Sequence, residues 1–197
     1  MGDPHECHAQ EWEDSPGNIS EIPLEDPDLT LYVDGSRKYI QGTPPTGWAA
    51  VDGARNTVLS GGLDGGLSAQ VAKLIALIEA LQLAEGKWAN IYTDSRYAFG
   101  VVHGYMTTWE RWGFVTAGGE AIKHEGWIRL LLDAASKPAE AAVIKVKAYQ
   151  KVVDDIQRGD EAADKAAQEV AQEAAVSSEV REESNNSTRP SAVFKLL

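Results

Sequence analysis

The chain has 197 residues, 43% of them hydrophobic, which is enough for one domain of about 150 residues with flanking segments. No apolar run approaches the roughly 18 residues that cross a membrane, and no secretion signal is visible, so we expect an intracellular protein, cytoplasmic or nuclear, without a membrane partner. The single cysteine, Cys7, excludes an internal disulfide bond.

The net charge of −12 is unevenly distributed along the chain. Residues 1–28 contain nine acids, four prolines and no Lys or Arg, which predicts an acidic disordered arm or linker. We predict one domain over 29–172, which is nearly neutral, and a disordered tail or linker over 173–197. A near-neutral domain disfavours tight binding to nucleic-acid phosphates, because that binding normally requires a basic surface.

The predicted elements begin with three strands. The first, LTLYVDGS at 29–36, is rich in β-branched and aromatic residues and ends in a turn. The next two are TGWAAVDG and NTVLSGG, and the Asp52-Gly53 pair between them indicates a hairpin. These three strands are therefore expected to be antiparallel.

A helix follows the hairpin. Ser68 has the residue type of an N-cap, and Gly86 is a typical helix terminator, so we predict a helix from about 68 to 85. Downstream, the patterns predict a buried fourth strand at 88–94, a short helix from Ser95, an irregular aromatic segment at 105–119, a helix at 119–136, a fifth strand at 141–149 and an Ala-rich helix at 159–175.

This order of elements predicts an α/β fold of the α+β kind, with one mixed five-stranded sheet flanked by helices. Three antiparallel strands followed by parallel crossovers give the strand order 3-2-1-4-5. Strands one and four are then neighbours, so Asp34 and Asp94, which follow them, should meet at one edge of the sheet. The last helix would bring Asp164 to the same place. Clustered carboxylates repel one another and usually indicate a bound cation, typically a pair of Mg²⁺ ions.

Four blocks carry a family resemblance, which covers about residues 24–170. They are LYVDGS, SAQVAKLIALIEALQLAEG, YTDSRYAFGVVHG and GDEAADKAA, and in this order they resemble the ribonuclease H domain of gammaretroviral and endogenous-retroviral reverse transcriptases. The resemblance implies the ribonuclease H fold and an ancestral Mg²⁺-dependent cleavage of the RNA strand in RNA–DNA hybrids. It also implies that Asp34, Asp94 and Asp164 match three of the four catalytic carboxylates of the family.

The chain departs from the family pattern at the fourth carboxylate. The family has a Glu in the motif AEL on the first helix, whereas this chain reads AKL and has Lys73 there. Glu79, six residues later, cannot take this role because it lies on another face of the helix, about 9 Å further along the axis. Lys73 therefore replaces a metal ligand by a competing positive charge.

Two further departures concern the loop after the fifth strand and the basic segment. The family has a Gly-rich loop with a histidine, whereas this chain has Tyr149 in place of the histidine. The segment that helps to grip the hybrid reads TTWERWGF here and has one Arg. Weak nucleic-acid contacts are assigned to Ser36, Gln70, Ser95, Arg96, Lys145 and Lys147, with Lys151 and the aromatics Trp109, Trp112 and Phe114 as further candidates.

The sequence therefore favours a catalytically inactive ribonuclease H-like domain, a pseudoenzyme in which the magnesium site is lost. We expect no cofactor, or Mg²⁺ or Mn²⁺ if activity remains, in which case Asp34, Asp94 and Asp164 would hold it. The expected role is that of a structural or interaction module, domesticated from an endogenous retrovirus, with a protein partner or further domains of a longer chain. The alternatives are an active ribonuclease H and a non-catalytic nucleic-acid-binding module.

Overall fold

Six strands form one mixed sheet in the computed structural model, which describes residues 19–38, 45–63, 66–147 and 154–187. The strands lie in the order β1-β6-β5-β2-β3-β4. Strands β2, β3 and β4 are antiparallel, whereas β5 and β6 run parallel to β2. The strands are β1 (Ile19–Ser20), β2 (Leu29–Arg37), β3 (Thr46–Asp52), β4 (Thr57–Leu63), β5 (Trp88–Thr93) and β6 (Glu140–Lys145).

The helices cover both faces of this sheet. They are α1 (Ala69–Leu83), α2 (Arg96–Gly100), α3 (Met106–Arg111), α4 (Glu125–Ala135) and α5 (Asp155–Ser187), with a π-helical turn at Val101–Tyr105 between α2 and α3. The side chain of Ser68 accepts a hydrogen bond from the backbone N–H of Val71 at 3.2 Å and so caps α1 as predicted. The helix ends before Gly86, whose φ of +70° favours glycine.

Two hydrophobic layers hold the helices to the sheet. On one face, α1 and α4 bury a core that includes Leu74, Leu77 and Ile128 against β2 and β5. On the other face, alanines of α5 lie against a smaller layer in which the rings of Tyr32 and Tyr92 stack at 5.0 Å. The small residues of α5 let this helix approach the sheet closely across β2, β3 and β4.

Close approach also explains why β2 carries a glycine beside its acid. A Cβ built on Gly35 would lie 2.4 Å from the backbone nitrogen of Lys73 and 2.6 Å from the Cβ of Ala72. Only a residue without a side chain permits α1 to lie this near to β2. This contact brings Lys73 to the end of β2.

The structure corrects several predicted boundaries. The predicted arm contains β1, because Ile19–Ser20 pairs with β6 in parallel and the sheet thereby gains a sixth strand. The predicted tail is helical to Ser187, since α5 continues for several turns beyond 172 on an Ala- and Glu-rich sequence with strong helix propensity. The segment predicted to be irregular at 105–119 contains α3, and residues 119–124 precede α4 rather than belong to it. Residues 1–18 and 188–197 lie outside the described residues.

Among the described residues, every helix is too short or too polar to span a lipid bilayer.

Candidate active site and its ion pair

Two acids meet at one end of the sheet, as the predicted topology requires. Asp34 lies in β2, and Asp94 directly follows β5, whose Thr93 is in register with Val33 of β2. The side chain of Asp34 is only 3% exposed, whereas that of Asp94 is 27% exposed. The backbone N–H of Gly35 donates to Oδ1 of Asp34 at 2.7 Å, so the buried carboxylate has a backbone partner.

The ammonium group of Lys73 reaches both acids from α1. Its Nζ donates to Oδ1 and Oδ2 of Asp94 at 2.7 and 2.9 Å, and lies 3.0 Å from Oδ1 of Asp34. The Lys73 side chain is 22% exposed. These distances are those of charge-assisted hydrogen bonds, which are about twice as strong as neutral ones. Lys73 therefore pairs with both Asp34 and Asp94.

The electrostatics of the cluster follow from its burial. Burial raises the pKa of Asp34 to about 7, and the charge of Asp94 adds to this rise, although the ammonium of Lys73 opposes it. Burial by itself lowers the pKa of Lys73, but the charges and hydrogen bonds of Asp34 and Asp94 outweigh burial, and the pKa is raised. Lys73 is therefore charged at neutral pH, and it makes ionisation of Asp34 less costly.

The residues present do not fit a divalent cation. Three carboxylate oxygens already hydrogen-bond or ion-pair with one ammonium group, which lies in the space between the two acids. A Mg²⁺ ion needs oxygen ligands at about 2.0–2.1 Å in octahedral geometry. In the described ranges, no three His, Cys, Asp or Glu side chains gather in a group able to hold a metal ion.

Asp164, the predicted third acid of the site, lies on α5. Asp164 is exposed, and its Oδ2 accepts a hydrogen bond from Nε2 of Gln168 at 2.8 Å. The ion pairs of Lys73 that the structure describes are those with Asp34 and Asp94. That α5 brings Asp164 to Asp34 and Asp94 stays a prediction.

Asp160 is an acid of α5 that the sequence analysis missed, and the charges of Asp94 and Lys73 act on its pKa. It is half-buried, and its Oδ1 is enclosed without a hydrogen-bond partner in the described part of the chain. Burial raises the pKa of Asp160 to about 6, and the charge of Asp94 raises it further, while Lys73 lowers it. The available signal was the spacing, since Asp160 lies one helical turn before Asp164.

Gly159 explains why this turn of α5 lies on the sheet. A Cβ on Gly159 would meet the ring of Tyr32 at 2.5 Å, so the helix backbone rests directly on that ring. Asp160 is the next residue in this turn, and it is half-buried.

The side chains predicted to contact nucleic acid have different environments. Ser95 is buried, and its Oγ caps α2 by accepting from the N–H of Ala98 at 3.0 Å, so it has a structural partner. Gln70, Arg96 and Lys147 are exposed, whereas Ser36 and Lys145 are partly buried. Tyr149 and Lys151 fall outside the described residues, so their predicted roles are neither supported nor opposed.

The aromatic candidates also divide. Phe114 is 3% exposed and lies beneath the guanidinium of Arg129, 4.0 Å from the ring centroid, so it belongs to the core and is not a nucleic-acid contact. Trp112 is 56% exposed. Trp109 is partly buried and stacks on Tyr105 with ring centroids 5.4 Å apart. Arg111 and Glu110 lie in the same helix, so the surface has no uniform positive charge.

Comparison with known proteins identifies relatives over most of the chain. A model of the RNase H family matches residues 26–172. The Gag-Pol polyprotein of baboon endogenous virus (strain M7) is 42% identical over 162 residues, covering 81% of this chain and 9% of that protein. The Gag-Pol polyprotein of walleye dermal sarcoma virus is 44% identical over 150 residues, covering 74% of this chain and 8% of that protein. The chain thus spans less than a tenth of the length of these relatives.

Solved structures share the fold at lower identity. The solution structure of the PFV RNase H domain superposes with a TM-score of 0.64 at 19% identity, covering 75% of this chain and 96% of that one. A foamy viral protease-reverse transcriptase in complex with RNA/DNA hybrid gives a TM-score of 0.60 at 19% identity, covering 80% of this chain and 22% of that one. At these identities the likeness establishes the fold alone.

Proposed function

The chain belongs to the ribonuclease H family and is similar to a segment of retroviral Gag-Pol polyproteins. From this premise we propose that it is a catalytically inactive member retained as a structural or interaction module. The observation that carries the proposal is the position of the Lys73 ammonium, within 3.0 Å of both Asp34 and Asp94. The family uses Mg²⁺ at its carboxylate cluster, and here the chain's own cation takes the place between two of the carboxylates.

The magnitude of the charge change supports the loss of metal binding. A unit charge at about 4 Å contributes roughly 4 kcal/mol at an effective dielectric constant of 20. Lys73 affects a divalent ion in two ways: the attraction of a carboxylate is lost, and the repulsion of an ammonium group is added. Without metal the site has no means to activate water or to stabilise the charge of a phosphodiester transition state.

The intact fold supports retention for another use. Strands and helices keep buried, well-formed cores on both faces of the sheet, although the site has changed. Selection that maintains packing while catalytic residues are lost is expected when the domain serves as a scaffold. An endogenous-retroviral copy, domesticated in a host as part of a longer protein, meets this description.

Hybrid binding without cleavage is the second candidate. It is favoured by the fold shared with a foamy viral enzyme solved with an RNA/DNA hybrid. The near-neutral charge of 29–168, with 16 acids and 15 bases, opposes it. We therefore rank it below the scaffold role.

A cleavage assay tests the proposal directly. The purified chain is incubated with a labelled RNA–DNA hybrid in Mg²⁺ and separately in Mn²⁺, and we expect no product above the level of the Asp94→Asn variant. Cleavage by the wild type that disappears in Asp94→Asn would show an active enzyme and overturn the proposal. Hybrid retention on a gel without cleavage would favour the second candidate.

A further inference from the structure

The strand β4 forms an open edge of the sheet. It pairs with β3 on one side, and among the strands that the structure describes none pairs with its other side. The opposite edge of the sheet differs, because the two-residue strand β1 shortens it. An open edge presents unpaired N–H and C=O groups, which are a template for pairing with another strand.

Hydrogen-bond alternation identifies the outward groups. In the ladder between β2 and β3, the N–H of Lys38 donates to the carbonyl of Pro45, the residue just before β3, at 3.0 Å. Every second residue counted from Pro45 therefore bonds to β2, and the residues between them bond to β4. The register pairs Trp48 with Gly61 and Thr46 with Leu63, so these residues of β4 bond inward. Ser60 and Gly62 therefore turn their N–H and C=O groups outward.

This edge lacks the usual protection against pairing over its regular part. Thr57–Leu63 contains no charged residue and no proline, although proteins commonly place Lys or Pro on exposed edges. The irregularity opposite Ala50 and Val51 lies at the start of the strand, which leaves 59–63 regular. Ser60 and Gly62 are both exposed. The two residues whose backbone groups turn outward are thus accessible at the edge.

We propose that β4 pairs antiparallel with β4 of a second copy of this chain, around a two-fold axis at Gly61. The five residues Leu59–Leu63 read LSGGL, which is nearly its own reverse. With Gly61 on the axis, Ser60 lies opposite Gly62 of the other copy, and these are the two residues whose backbone groups point outward. Each Ser60–Gly62 pair then exchanges two hydrogen bonds, which gives four across the axis.

The side chains suit the same register. Leu59 and Leu63 are partly buried and pack against the main core, on the face that also contains Trp48. In the dimer, Leu59 of one copy lies opposite Leu63 of the other, so both apolar side chains gain a neighbour. The absence of charge in 57–63 avoids like-charge contacts at the axis. An isologous two-fold contact is also the commonest form of protein self-association.

The expected association is weak. A strand pair of this length buries less than the roughly 1,200 Å² typical of stable complexes. The net charge of −12 on each copy opposes association at low ionic strength. Dimers should therefore form at high protein concentration and be favoured by added salt.

Sedimentation velocity of the full chain, from about 10 µM to about 1 mM in 0.3 M salt, tests the proposal against two matched variants. Ser60→Ala keeps the outward N–H and should dimerise like the wild type. Ser60→Pro removes that N–H without removing a bond to β3, and should weaken the dimer at least about tenfold. A wild type that stays monomeric throughout, or a dimer that Ser60→Pro does not weaken, overturns the proposal.

Amide hydrogen exchange tests the proposal on the wild type alone, so its result does not depend on whether a variant folds. The amides of Ser60 and Gly62 should exchange fast at low protein concentration and become protected at high concentration, whereas those of Leu59 and Gly61 should be protected throughout. Protection of Ser60 and Gly62 that is independent of concentration would mean that another part of the same chain covers the edge, and would overturn the proposal. Neither experiment depends on whether the domain cleaves a hybrid.

Discussion

The ammonium nitrogen of Lys73 lies 3.0 Å from Oδ1 of Asp34, a carboxylate whose side chain is only 3% exposed. A buried acid of this kind is unfavourable unless a positive charge accompanies it. In this chain the positive charge is covalently attached to α1 and cannot dissociate. Whether the site binds metal is therefore connected to a quantity that can be measured, the contribution of Lys73 to the stability of the fold.

Removing the ammonium should destabilise the domain. We expect Lys73→Ala to lower the free energy of unfolding by about 2–3 kcal/mol at pH 8, because it leaves Asp34 buried without its cation. Urea unfolding followed by circular dichroism measures this change. The same substitution at exposed Lys123 should stay within about 0.5 kcal/mol. A loss at Lys73 no larger than that at Lys123 would contradict the structural role of the pair.

Restoring the family's carboxylate should restore metal binding. Lys73→Glu places three carboxylates together, so we expect it to be less stable than wild type without metal and to be stabilised by Mn²⁺ or Mg²⁺. Binding at a hundred times Kd adds about 2.7 kcal/mol. Thermal melts with and without the ion give the comparison.

Lys73→Gln is the matched neutral control for that experiment. It has the shape of Glu without its charge, so the ion should stabilise it less than Lys73→Glu. The wild type should not respond at all. If wild type and Lys73→Glu gain equally from the ion, the cation site is intact and Lys73 does not block it.

Asp160 should make the domain less stable as the pH rises from about 4 to about 6. Its pKa is raised to about 6 in the folded protein from an ordinary 3.8, so in this interval the folded state holds a proton that the unfolded state has lost. Stability is therefore lost as pH rises, and the loss is complete above pH 6. The full shift corresponds to about 3 kcal/mol, which we reduce to about 1 kcal/mol because water partly reaches the side chain.

The Asp160→Asn variant isolates this effect. It should be about 1 kcal/mol more stable than wild type at pH 8 and equal to it at pH 3, because both side chains are neutral there. Denaturant unfolding at several pH values measures the difference, and exposed Glu161→Gln on the same helix is the control with little effect expected. A variant that is less stable than wild type at pH 8 would mean that the ionised Asp160 carboxylate is stabilising.

Glycine at position 35 should be required for the contact between α1 and β2. An Ala side chain there would lie 2.4 Å from the backbone nitrogen of Lys73, so helix and strand must separate. We expect Gly35→Ala to cost at least about 2 kcal/mol of unfolding free energy. Gly53→Ala, where a Cβ meets nothing within 4 Å, should cost little. Equal costs at both positions would contradict the close packing.

Local patterns in the sequence determined the main elements and the residues at their ends. The alternating, β-branched segments predicted five of the six strands, and Ser68 and Gly86 marked the limits of α1. Chain order and the preference for parallel crossovers then brought Asp34 and Asp94 together. The two-residue strand β1 escaped prediction, because two residues carry no periodic signal and their pairing depends on the exposed edge of β6.

Tertiary structure alone decided which acid of α5 faces the sheet. Asp160 and Asp164 lie on nearly the same side of the helix, so spacing along the chain cannot separate them. The contact of Gly159 with the ring of Tyr32 presses one turn of α5 onto the sheet and half-buries Asp160, whereas Asp164 is left exposed beside Gln168. The sequence determined that Lys73 stands where the family has a carboxylate. Packing at Gly35 determined that the ammonium of Lys73 reaches both acids, because the close backbone contact at Gly35 brings α1 near to β2.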